Sequence, residues 1–184
     1  MADTEQITET PARIGQKEPF LWKVVSRYDH YIGTTNTKAA FLIAYNTFVI
    51  GGILLKWSEI VPSFSANPKS AIGIAMLLFL LGVCAVLSLV FTFRTIYPYL
   101  KSGKSPDAYH SKIFFSDVAE YPTGNDYLKS VQGMLEADIE HDVAQQTHLL
   151  AKGLVCKFKC LQTAIGVILF GQVPILIGVL AWFT

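Results

Sequence analysis

The sequence predicts an all-helical integral membrane protein with three transmembrane helices and a helical cytoplasmic domain between the second and third. Three observations lead there. Residues 39–55, 71–93 and 160–184 are uncharged apolar runs near the ~20 residues that a helix needs to cross a bilayer. Residues 94–159, by contrast, carry eight basic and eight acidic side chains, too polar for lipid and too long for a turn. The chain is 52% hydrophobic, yet its apolar residues sit in blocks rather than at the amphipathic periods of a soluble core.

Each element follows from local chemistry. Residues 1–18 mix Thr, Glu, Gln and Pro11 with few large apolar side chains, the composition of a flexible tail. Pro19 suits a first helical position, and Leu21, Val24, Val25, Tyr28 and Ile32 then recur at helical spacing. This predicts one segment, 19–57, in which a cytoplasmic helix leads into the first span with a bend at Gly33. Pro62, Asn67 and Pro68 predict an outer loop over 58–69. The second span is expected over 70–97, stopping at Pro98. Residues 98–157 are expected to form the cytoplasmic helical domain, with a loop at 102–106, a short ordered segment from Phe114-Phe115, a helix from about Asp126, and another after Gly133 that continues into the third span, 158–184. Pro174 should kink that span, because proline cannot donate to the helical ladder.

Charge sets the expected orientation. Ten basic residues flank the spans on the side of the N-terminus and of 94–159, against Lys56 and Lys69 in the short loop. Basic residues are retained on the cytoplasmic side, so the N-terminus and the polar domain are expected inside and the C-terminus at the outer face. No signal peptide is visible. A net charge of +1 excludes a grossly basic nucleic-acid binder. Cys84, Cys156 and Cys160 give no disulfide framework, and either packing or acylation or metal binding by the last two accounts for them.

Polar residues in unusual places are the candidate functional groups. Asn46 and Gln172 fall near the centres of spans one and three, where an unpartnered amide costs several kcal/mol. They either bond to each other between helices or line a water-filled path between chains. Three spans cannot enclose a pore, so the second reading requires a homo-oligomer. Lys38, beside Asn36 and Thr37, marks the mouth of span one, either as a snorkelling lysine or as part of a cytoplasmic pocket with Phe115, Asp117 and the polar face Asp138, Asp142, Gln145 and Lys152. Aromatics there can stack a base, amides can read its edge and lysines can meet a phosphate. His141-Asp142 matches a dipeptide of metal-dependent phosphohydrolases, but no convincing third ligand accompanies it, and no phosphate loop or nucleophile elbow is present. Neither a catalytic residue nor a metal site is assigned, and an enzyme is not expected.

Three motifs resemble a known family. Asn36-Thr37-Lys38-Ala39-Ala40, Ile113-Phe114-Phe115-Ser116-Asp117-Val118-Ala119, and Asp142 through Gln145-Gln146 to Lys157-Phe158 are similar, in order and in position relative to the spans, to motifs of the Pycsar effector transmembrane family of bacterial antiphage defence. That resemblance adds Lys157 to the nucleotide-binding or signal-coupling set. It implies an inner-membrane effector of abortive infection, gated by a cyclic nucleotide or oligonucleotide from a cognate cyclase or nucleotidyltransferase. It further implies a pore or ion channel subunit that disrupts membrane integrity, with the lipid bilayer and its own copies as partners, a tetramer being the expected assembly, and with no cofactor. The alternative is a membrane scaffold that binds a partner and conducts nothing.

Overall fold

A computed structural model describes residues 17–66, 68–98 and 110–183. Most of the expected N-terminal tail and the expected loop at 102–106 lie outside the described residues. Helices α1 (Lys17–Ala66), α2 (Pro68–Ile96), α3 (Phe115–Val118), α4 (Gly124–Gln132), α5 (Glu136–Val167) and α6 (Val173–Phe183) follow in order, with a π-helical turn, Ile168–Gln172, joining the last two. There is no strand among the described residues. Three stretches, Lys17–Trp57, Ala71–Ile96 and Glu136–Ala181, are long and apolar enough to cross a membrane.

One difference from the sequence reading concerns a breaker. The loop expected over 58–69 is mostly helix, since α1 continues to Ala66 and α2 begins at Pro68. Ile60, Val61 and Phe64 keep apolar residues at helical spacing around Pro62, which therefore fails to end the helix. Helix α1 runs on through Gly33. Helix α5 continues past Gly153 to Val167, the course expected of the helix after Gly133.

The chain divides into two compact units. The membrane unit comprises residues 31–98 and those from 154 onwards, so α1 and α5 contribute to both units. Its apolar core is Val49, Ile74, Leu78, Leu81 and Ala85, with Ile175, Leu176 and Val179 packed against them. Ala39, Ala85, Ser88 and Ala164 are completely buried, and such small side chains let membrane helices approach closely. Phe41, Phe48, Phe79 and Phe170 point outward, as expected where lipid replaces water. Three buried threonine hydroxyls are satisfied within their own helices: Thr35 donates to the Tyr31 carbonyl, Thr92 to Ser88 and Thr95 to Phe91, at 2.7, 2.8 and 3.0 Å.

The π turn sits immediately before Pro174. Proline has no N–H to give to the carbonyl four residues back, and the chain widens locally, with the Val173 N–H reaching the Ile168 carbonyl. Within this turn Gly171 packs so closely on α2 that a Cβ there would lie 3.1 Å from Cys84 Sγ. An alanine there would need the Cys84 side chain to give way by a few tenths of an ångström.

The polar unit comprises residues 17–30 and 110–153 of the described chain. Helix α4 starts at Gly124, where the Thr123 hydroxyl accepts from the Asp126 N–H at 3.2 Å and donates to that residue's carboxylate at 2.7 Å. At the start of α5, Asp138 accepts from the Leu135 N–H at 2.9 Å. Tyr121 and Tyr127 bring their rings to 5.4 Å and hold α4 to the segment before it.

Candidate functional site

Two polar constellations are built, one in each unit. In the polar unit the segment Ser111–Phe114 has no helical ladder to satisfy its backbone, and two buried carboxylates take that task. Asp142, from α5, accepts from Ser111 Oγ at 2.7 Å and from the Lys112 N–H at 2.8 Å. Asp117, from α3, accepts from the Ser111 N–H at 2.7 Å and from Ser116 Oγ at 3.2 Å. Ser111 Oγ in turn accepts from the N–H groups of Ile113 and Phe114, at 3.1 and 3.0 Å, which turns the chain into α3. Lys112 is held at its other atoms too, because Tyr127 donates to its carbonyl at 2.9 Å and its Nζ donates to the Ser130 carbonyl at 3.0 Å. Bonds to an ionised carboxylate are the strong kind, so this short stretch is rigid.

The clamped segment borders two clefts of the same unit. One, about 220 Å³, is bordered by Trp22, Phe114, Phe115, Asp29 and Gln146 among others. The other, about 260 Å³, has His110, Lys112, Asp138, His141 and Asp142 in its wall. The first offers aromatic faces and an amide, and the second mixes imidazole, ammonium and carboxylate groups. No group of three or more His, Cys, Asp or Glu placed to hold a metal ion occurs among the described residues.

In the membrane unit a chain of hydrogen bonds joins four helical segments. Gln172 Nε2, in the π turn, donates to Asn46 Oδ1 of α1 at 2.8 Å. Asn46 Nδ2 donates to the Leu42 carbonyl at 2.8 Å and to Ser88 Oγ of α2 at 3.1 Å. Ser88 completes the path by donating to the Ala164 carbonyl of α5 at 3.3 Å. All three side chains are 0% exposed, and Gln172 Oε1 has no partner among the described residues. Elsewhere in this unit the buried ammonium of Lys157 donates to the carbonyls of Thr95 and Ile96, the last of α2, and to Asn36 Oδ1 at 3.4 Å. A cation at a helix C-terminus faces the negative end of the helix dipole.

The residues singled out from sequence are thus sorted by the fold. Asn46 and Gln172 meet directly. Asp117 and Asp142 share one segment, with Phe115 exposed beside it. Asn36 and Lys157 meet in the membrane unit, while Lys38 lies on the exposed face of α1. Gln145 and Lys152 are exposed, whereas Gln146, one turn beyond Asp142 and on its face, is buried. Sequence reasoning missed Ser88, Ser111, Lys112 and Gln146. The spacing of four from Asp142 marks Gln146, and Ser111-Lys112 directly precede the Phe114-Phe115 segment, but nothing in the sequence separates Ser88 from other serines in apolar runs.

The class that emerges is a helical membrane protein whose polar unit carries ligand-sized clefts and whose spans enclose a polar cluster. The chain belongs to the Pycsar effector protein family: residues 20–184 match the Pycsar effector protein domain. It is similar to the Pycsar effector protein EcPycTM of Escherichia coli, with 25% identity over 137 residues covering 74% of each chain. No solved structure matches it. Membership of this family points to antiphage defence as its role.

Proposed function

We propose that this chain is a signal-gated subunit of an oligomeric pore in the bacterial inner membrane. In this reading a nucleotide made by a cognate cyclase or nucleotidyltransferase after infection binds the polar unit, which faces the cytoplasm along with the N-terminus. Homo-oligomerisation, as a tetramer, supplies the conduit that three spans alone lack. We place no catalytic step, metal or resident cofactor in the chain.

The observation that carries this reading is the buried cluster Asn46–Ser88–Gln172, with Gln172 Oε1 left unpartnered. An amide in hydrocarbon is costly unless its polar atoms are partnered, and Gln172 Oε1 is left for water or an ion to meet. The π turn beside them is a form of helix that often accompanies function. Asp142 of the clamp and Lys157, which holds the end of α2, both belong to α5. Gating requires that the signal bind one state better than the other, and a hinge at the π turn supplies two states for it to distinguish. The outward apolar groove of about 620 Å³ lined by Ile53, Trp57, Phe79 and Gly82 offers a surface for a neighbouring subunit.

Infected cells carrying the chain and its signal synthase should lose membrane potential, read by a voltage-sensitive dye, before they lyse. Cells lacking the synthase should hold their potential. Protection from phage without any depolarisation would instead favour a membrane scaffold that conducts nothing.

A further inference from the structure

We propose that the cleft bordered by Trp22, Phe114 and Gln146 receives a single nucleobase, and that Gln146 reads its hydrogen-bonding edge. The proposal rests on the nucleotide-signal reading above and deepens it by naming the site and the reading residue.

Gln146 is the observation that points to a ligand. Its side chain is 92% buried, by the 8% exposure that remains, yet its amide makes no hydrogen bond to any described residue. An amide with two donors and an acceptor is seldom buried without using them. Its polar atoms are not among those sealed completely from solvent, and the residue lines the cleft. A heterocycle carrying a donor and an acceptor side by side satisfies such an amide with two parallel bonds.

The remaining wall fits a flat ring. Trp22 and Phe114 contribute aromatic rings to the lining, and stacking on an aromatic ring tolerates any base. Phe114 is fixed by its N–H bond to Ser111 Oγ, within the segment that Asp117 and Asp142 clamp. Asp29 adds a carboxylate at the rim, which repels a phosphate and accepts from an amino or hydroxyl group. The base end therefore enters and the phosphate stays outside. At about 220 Å³ the cleft is below the ~300–1,000 Å³ usual for drug-sized ligands. It holds one base, and an oligonucleotide would leave its other bases unaccommodated.

The test is titration of the full-length protein in mild detergent with the 3′,5′-cyclic mononucleotides of all four bases, with ribose 5-phosphate as a phosphate-only control. The wild-type protein should bind at least one base in preference to the others and should not bind the control. Gln146→Met keeps the shape and removes the edge, so affinity should fall about 10- to 100-fold with thermal stability unchanged. Gln146→Glu, which loses the donors, should change which base is preferred. Wild-type binding that both variants retain unaltered, or ribose 5-phosphate competing as well as the nucleotides, overturns the assignment of this cleft. A wild-type protein that binds none of the cyclic mononucleotides refutes the nucleobase proposal, and with it the single-nucleotide form of the signal.

Discussion

Replacing Asn46 and Gln172 together with leucine should abolish signal-dependent membrane damage while leaving the protein inserted and as abundant as the wild type. Leucine is favoured in lipid, and the double change removes every group that Gln172 and Asn46 present to the core, including the unpartnered Gln172 Oε1. The lost interhelical bond is worth only ~0.6–2 kcal/mol, against several kcal/mol for each unsatisfied polar group taken out of hydrocarbon. Either single change is harsher for stability than the pair, since Gln172→Leu strips Asn46 Oδ1 of its donor and Asn46→Leu strips Gln172 Nε2 of its acceptor. Dye uptake by cells and immunoblotting of membrane fractions read both halves of the outcome. Undiminished damage in the double variant would show that these amides serve packing alone.

Asp142→Ala should have the largest effect on the polar unit. It leaves the Ser111 hydroxyl and the Lys112 N–H without their acceptor, in a place from which water is largely excluded. Bonds to charged acceptors are worth ~1.5–3 kcal/mol each, so a loss on the order of 3–5 kcal/mol is expected, enough to free residues 110–118 without unfolding the spans. Hydrogen exchange of that segment should rise at least about 100-fold while exchange in the spans stays slow. The response to signal should disappear with it. Unchanged exchange at 110–118 would mean that Asp117 and the Tyr127 contact hold the segment unaided.

Much of this architecture is legible in the amino-acid sequence because lipid imposes a coarse rule. Runs of about 20 uncharged residues stand out against the 16 charges of 94–159, and an amide inside such a run must find a partner. Hence Asn46 and Gln172 can be matched across 126 positions. What escapes is anything that depends on helical phase. Gln145 and Gln146 are equivalent in composition and both lie within one turn of Asp142, but one step turns a side chain by about 100°, and Gln146 is buried while Gln145 is exposed. Lysines behave similarly: Lys38 stands beside the motif residues in sequence, while Lys157 is the one turned toward Asn36 and the end of α2. Pro62 misleads because a proline reads as a stop, although a helix with apolar residues on both sides of it can carry one.

Ion flux through proteoliposomes made from the purified chain, measured before and after adding the cyclic mononucleotide that it binds, tests the central claim most directly. A nucleotide-dependent flux that requires an oligomer and is lost in the Asn46→Leu/Gln172→Leu double variant is the predicted result. Liposomes that stay sealed with nucleotide bound to correctly inserted oligomers would contradict the pore and leave a scaffold in its place.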